Sequence, residues 1–259
     1  MRSESLSPKR DIKFIEFIGL PGAGKTTIAT DLERILKENG LRTVSRSVAL
    51  SDRMPFALRQ LRRSLIVAQT LRKCWQLDIL ALKFILTSGQ ASLKDLCKVT
   101  WNICSVAAFM ANGRCADIDV AIADQGLLQA IWSIRLRSSK ALRPELCAQL
   151  ILSAGLRDVL FVFVQSEIPV ARRRLSSRTI KGTRLQSGPP DYIDGAWEVA
   201  AVEMKSLIEF IVGLASLHDI ENQLVTIDNN FKSPRTSAAE VASAFLARSS
   251  RTLASLSAR

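Results

Sequence analysis

Histidine is almost missing from this chain of 259 residues, with His218 the single example. The five cysteines, Cys74, Cys97, Cys104, Cys115 and Cys147, form no C-x-x-C pair, so zinc ligation has no local signature. They are expected to be buried thiols in a reducing cytosol. Aromatic residues make up only 6%, which leaves no stacking platform of the kind single-strand binders use. No uninterrupted apolar run reaches the roughly 18 residues of a spanning helix. The nearest approaches, Leu77 to Leu86 and Trp101 to Ala111, are short or carry Asp78, Lys83 and Asn102. From Met1 to Asp11 the chain is polar, without the hydrophobic stretch of a secretion signal. A cytoplasmic protein with no transmembrane segment is therefore expected.

What is present is enough for a sizeable core. Apolar residues reach 47%, which suits one α/β domain over 12–247 with a helical insertion at 56–112 and tails at 1–11 and 248–259. The formal charge of +12 attracts anions of any kind. Nucleic acid is disfavoured as the anion, because the arginines cluster around the motifs below and lack aromatic company.

The chain is organised around Gly19-Leu20-Pro21-Gly22-Ala23-Gly24-Lys25-Thr26, which reads G-x-x-x-x-G-K-T. It follows the apolar run Phe14 to Ile18 and opens a helical pattern near Thr27, the strand, loop and helix context that the motif requires. Its glycines let successive backbone N–H groups face inward at a helix N-terminus, where the helix dipole favours negative charge. Lys25 is placed to reach β- and γ-phosphates, and the Thr26 hydroxyl to ligate magnesium. The reading is a nucleoside triphosphate cradle over Gly19 to Thr27.

Further along, Phe14 to Ile18 has the character of a central parallel strand buried on both faces, interrupted by Glu16. A carboxylate there must be paired or sit near a strand end. Leu41 to Val48 is a second strand, edge-like for its Arg42 and Arg46. Ser51-Asp52-Arg53 stands beyond it, where ligands of open α/β sheets bind. Asp52 and Arg53 either hold a substrate hydroxyl and anionic group or cap the next helix. From Phe56 to Ala111 a stripe through Leu58, Leu61, Leu65, Ala68, Leu71, Trp75, Ile79, Leu82 and Leu86 resumes at Leu93, Leu96, Val99, Ile103, Val106 and Met110. This helix pair forms a wall over the acceptor side or packs against a partner subunit as a homodimer.

Asp117 to Asp124 is an apolar strand that ends in aspartate, which places a carboxylate beside the phosphate loop to hold magnesium or accept a proton. Asp158 to Val164 is a fourth strand. It leads into a helix bearing Arg172, Arg173, Arg174, Arg178, Lys181 and Arg184, six cations with no carboxylate among them. These repel one another unless an anion compensates. Gly182, Gly188, Pro189 and Pro190 give the 169–190 region the makings of a lid. A long helix over Asp191 to His218, a fifth strand over Gln223 to Ile227 and a helix over Ser237 to Ala247 complete the domain, with Asp228-Asn229-Asn230 placed to meet a base or ribose.

With Gly19 to Thr27, the Asp124 turn and the segment Arg174-Leu175-Ser176-Ser177-Arg178 in hand, the sequence resembles the P-loop nucleoside and nucleotide kinases, thymidylate kinase-like and deoxynucleoside kinase-like proteins in particular. The resemblance implies a three-layer α/β fold with a five-stranded parallel sheet of order 2-3-1-4-5 and a basic lid. It implies ATP with Mg2+ and a small-molecule or nucleotide acceptor. Lys25 and Thr26 match the phosphate-loop lysine and magnesium hydroxyl, Arg174 and Arg178 the lid arginines, and Asp124 the family's Asp-Arg turn. Gln125 departs from that turn's arginine, which holds the acceptor's phosphate, and suits a hydroxyl or amide acceptor. The acceptor set is Asp52, Arg53, Gln125 and Arg184, with Asp124 beside it. The competing function is a regulatory nucleotide-dependent module. No N-K-x-D guanine motif is present, and Asp124 is followed by Gln125 rather than by the glutamate of AAA-type ATPases.

Overall fold

The computed structural model describes residues 14–46, 58, 64, 75–90, 92–115, 118–136, 138–140, 143–177, 190–218 and 223–257. Strands β1 (Phe14–Ile18), β2 (Thr43–Ser45), β3 (Val120–Ala123), β4 (Val159–Gln165) and β5 (Leu224–Asp228) form one sheet in the order β2-β3-β1-β4-β5. Every pairing is parallel. That is the order the P-loop kinase resemblance implies, and it puts β1 at the centre with β3 and β4 on either side. The carboxyl ends of these three strands therefore open onto the same edge of the sheet, where α/β folds bind ligands.

Alternation along the strands assigns each residue to a face. Phe14 and Ile18 join Ala121, Ala123, Val159 and Phe161 in one apolar layer, while Ile15 and Phe17 join Val120, Ile122, Leu160 and Val162 in the other. The second layer is closed by α1 (Lys25–Glu38) and by a C-terminal helix over Pro234–Ser257, through Ile28, Leu32, Val241 and Phe245. The first is closed mainly by α2 (Trp75–Thr87), α3 (Leu93–Cys115), α4 (Leu127–Arg135), α5 (Pro144–Ser153) and a long helix over Pro190–Leu217. Between β4 and that long helix lies α6 (Ile168–Ser176), so the long helix is α7 and the C-terminal one α8. Parity sends Glu16, two residues from Phe14, into the layer of α2 to α5 and α7.

Three expectations change. The Ile79, Leu82 and Leu86 stripe is exposed, and α2 instead buries Leu77, Ala81, Phe84 and Ile85. The helix is apolar nearly all round, so spacing alone offers two stripes, and packing against α3 and α5 selects the second. On α3 the stripe holds from Val99 through Ile103, Val106 and Met110, while Leu93 is exposed at its start. Cys97 is exposed, one position off that stripe, and Cys147 is the buried thiol, its pKa pushed up to about 12 by burial. Finally, α8 continues to Ser257, past the Ala247 at which the pattern placed its end. The extension has no Gly or Pro, and the helix-favouring Arg248, Arg251, Leu253, Ala254 and Leu256 are interspersed among its serines.

Candidate functional site

The loop between β1 and α1 folds as a cradle because its glycines take conformations closed to other residues. Gly22 has φ +86° and Gly24 φ +99°. A Cβ on Gly22 would run into the Ala171 carbonyl of α6, and one on Gly24 would lie 2.6 Å from Asn229 Nδ2. The loop is thus pressed against α6 on one side and the β5–α8 loop on the other. Asn229 is 2% exposed and braces it, donating from Nδ2 to the Ala23 carbonyl at 2.7 Å while Ser237 Oγ donates to its Oδ1 at 3.2 Å. The sequence placed this asparagine toward a base or ribose; its side chain is engaged with the phosphate loop.

Lys25 and Thr26 open α1. The Lys25 ammonium is buried and donates to the carbonyls of Gly19 at 2.6 Å and Leu20 at 2.9 Å, so it lies folded over the start of the loop. Pro21 and Ala23 complete the turn, with Ala23 N donating to Leu20 O at 3.1 Å. Thr26 and Thr27 are exposed in the first turn. Thr26 Oγ1 donates to Asp124 Oδ2 at 2.9 Å, across 98 residues of sequence. A hydroxyl and a carboxylate in contact at the phosphate end of a helix are the hard oxygen donors that Mg2+ takes, with water and phosphate filling the remaining positions. These two residues could hold the metal.

The Asp124-Gln125-Gly126 turn leads into α4. Gln125 is exposed at its mouth. Glu16 reaches this helix from β1 and accepts from Leu128 N–H at 2.6 Å and from Gln129 N–H at 3.4 Å. It is a cap supplied from another strand, satisfying N–H groups that a helix start leaves open. Burial nevertheless dominates its ionisation and raises its pKa from 4.5 to about 7. The backbone N–H groups of Leu128, Gln129 and Leu127 and the charge of Arg46 pull the other way. Arg46 stands buried just past β2, and its guanidinium donates to Asn102 Oδ1 of α3 at 3.3 Å.

Gly126 is required by this cap. A Cβ there would lie 2.6 Å from both Cγ and Oε2 of Glu16. Gly126→Ala is expected to push the carboxyl off the helix start and to cost about 2 kcal/mol of stability, measurable by urea unfolding at neutral pH.

Gln129 was not among the residues the sequence singled out. It is 9% exposed, and its Oε1 accepts from Gly19 N–H at 3.2 Å, joining α4 to the phosphate loop. Nothing local marks it: a glutamine in the first turn of an amphipathic helix has no motif around it. The sequence marks Arg46 only as an edge-strand cation, and Glu16 without its partner.

Helix α6 brings Arg174 to the β5–α8 loop, where Nη1 donates to Asn229 O at 2.8 Å and Nη2 to Asn230 O at 3.2 Å. Arg172 and Arg173 are exposed on the same helix. Asp52, Arg53, Arg178, Lys181 and Arg184 lie outside the described residues. Thus the structure brings together Gly19 to Thr27 and Asp124, with Gln125 one residue beyond, and seats Arg174 beside the same loop.

No protein-family model matches the chain, and no curated protein sequence matches it. Among the described residues, no helix is long and apolar enough to cross a membrane. Solved structures to which the chain is similar include a deoxyadenosine kinase from M. mycoides with dCMP and a flexible dCDP bound (12% identity over 88% of this chain and 96% of that one, TM-score 0.46), a shikimate kinase from Bacteroides thetaiotaomicron (14%, 88% and 96%, TM-score 0.43) and a gluconokinase from Sinorhizobium meliloti 1021 (14%, 93% and 97%, TM-score 0.41).

Proposed function

We propose that this protein is an ATP-dependent phosphotransferase that passes the γ-phosphoryl group to a small-molecule or nucleoside/nucleotide acceptor. The observation that carries the reading is the contact between Thr26 Oγ1 and Asp124 Oδ2 at 2.9 Å, made beside a phosphate loop whose lysine is buried. A loop of inward N–H groups, an ammonium and a hydroxyl–carboxylate pair are the parts that phosphoryl transfer uses, since its catalysis is positioning and charge stabilisation.

In this mechanism the loop from Gly19 to Thr27 binds the phosphates through its backbone, and Lys25 reaches the β- and γ-oxygens. Thr26 and Asp124 would hold Mg2+, which would supply positive charge to the transferring phosphoryl group. The acceptor oxygen forms a bond to the γ-phosphorus, the bond to the β,γ-bridging oxygen breaks, and ADP leaves. The acceptor proton passes to a carboxylate or to water at the sheet edge. Arg174 and Arg178 neutralise the transferring group, with Arg174 leaving its carbonyl partners to do so. Gln125, Asp52, Arg53 and Arg184 hold the acceptor, and Arg46 adds a buried cation at the end of β2 on that side.

The test is ADP release measured with and without a panel of nucleosides, nucleotides, sugars and antibiotics. The expected result is release that rises with one class of acceptor and requires Mg2+. Slow hydrolysis that no acceptor accelerates would overturn this reading in favour of a regulatory nucleotide-dependent module.

A further inference from the structure

The peptide that joins Ala23 to Gly24 is held by a side chain from the far edge of the sheet. Its carbonyl, Ala23 O, accepts from Asn229 Nδ2 at 2.7 Å. Because a trans peptide carries its C=O and N–H on opposite sides, this bond also sets the direction of the Gly24 N–H, away from the β5–α8 loop. The phosphate loop does not choose that direction by itself. Glycine at 24, with φ +99°, places few limits on rotation of the peptide before it, and a Cβ there would lie 2.6 Å from Asn229 Nδ2. The glycine admits the asparagine, and the asparagine fixes the glycine's amide.

Asn229 can do this because it is itself fixed. Its backbone N–H donates to Gln165 O at the end of β4 at 2.9 Å. Ser237 Oγ of α8 donates to its Oδ1 at 3.2 Å, which turns the Nδ2 edge of the amide toward the loop. The residue is 2% exposed, so water does not compete for the Ala23 carbonyl. Its neighbour extends the brace, with Asn230 Oδ1 accepting from Glu167 N–H at the start of α6 at 2.8 Å.

We infer that Asn229 is a positioning residue for the donor phosphates: through the Ala23 carbonyl it keeps the Gly24 N–H turned into the cradle. The inference rests on the nucleotide-site reading above. It assigns to the β5–α8 loop a part in phosphate binding, carried by one side chain.

Asn229→Leu keeps the size of the side chain and removes the donor. Its Kd for Mg2+-ADP is expected to rise about fivefold to tenfold, the worth of one buried hydrogen bond. The Gly24 amide proton gives the readout that a merely structural role would not move. In the wild type its resonance should shift downfield when Mg2+-ADP binds, as that of an N–H directed at a phosphate oxygen does, and at saturating Mg2+-ADP the shift should be much smaller in the variant. A leucine variant that loses thermal stability but keeps the wild-type affinity and the full Gly24 shift would overturn the inference and leave the nucleotide site standing. A wild type that binds no nucleotide overturns both. Should the variant fail to fold, the wild type decides alone: Mg2+-ADP that binds without moving the Gly24 resonance contradicts the assignment.

Discussion

Lys25→Ala is expected to lower acceptor-dependent ADP release by about a hundredfold to a thousandfold, the usual cost of removing one well-placed transition-state donor. The surroundings of Lys25 are the reason this loss is expected to be catalytic and not a failure to fold. The ammonium is 8% exposed and donates to the carbonyls of Gly19 and Leu20. Truncation removes these hydrogen bonds and also relieves the burial of a charge, so the two effects on stability oppose each other. The net is expected to be about 1 kcal/mol or less, a shift of about 2–4 °C in melting temperature for a chain of this size. Activity and thermal unfolding measured on the same preparation separate the outcomes. Full ATP-dependent turnover in the alanine variant would sink the kinase assignment. Lost activity accompanied by a collapse of the melting temperature would show that the lysine is structural.

The sequence carried most of the fold because the devices that fix it are local. The apolar runs of β1, β3 and β4 lie between loop residues, and the G-x-x-x-x-G-K-T loop fixes the direction of the chain from β1 into α1. Sheet order came from resemblance, and the pairing of β1 with both β3 and β4 bears it out. What was not legible depends on contacts between distant segments. The exposed face of α2 could not be told from its buried face, since both are apolar and only the position of α3 and α5 decides. At the site, Thr26 and Asp124 could be named separately from motifs, but their 2.9 Å contact follows from β1 and β3 being neighbours.

Glu16 and Gln129 show the same limit more sharply. A buried carboxylate in a strand demands N–H partners, which the sequence does reveal. Which N–H groups answer is decided by the parity that turns Glu16 toward α4, and the two ends of that contact are 112 residues apart. For Gln129 even the demand is hidden, because a glutamine on a helix carries no obligation to be buried. The proposed acceptor residues Asp52, Arg53 and Arg184 lie outside the described residues, in stretches where motif spacing is loose.

The Glu16 cap also sets a pH dependence of large size. In the folded protein its carboxyl titrates at about 7, against 4.5 for the ordinary side chain, because desolvation outweighs the helix N–H groups and Arg46. The folded state therefore holds this proton more tightly than the unfolded chain does. Its contribution to stability is fully present below pH 4.5 and is lost as pH rises through 7, a loss of about 3 kcal/mol. Other carboxylates add their own dependence, so the comparison must be with a variant that differs only here. Glu16→Gln keeps an oxygen for the Leu128 N–H and carries no charge at any pH. Urea unfolding of both proteins between pH 4 and pH 8 should show their difference constant below about pH 4.5 and then widening in favour of the glutamine variant, by about 3 kcal/mol at the upper end. A difference that stays flat over that range would mean that the carboxyl ionises in place at its ordinary pKa. The cap would then owe its strength to the α4 N-terminus, and the burial argument would fail.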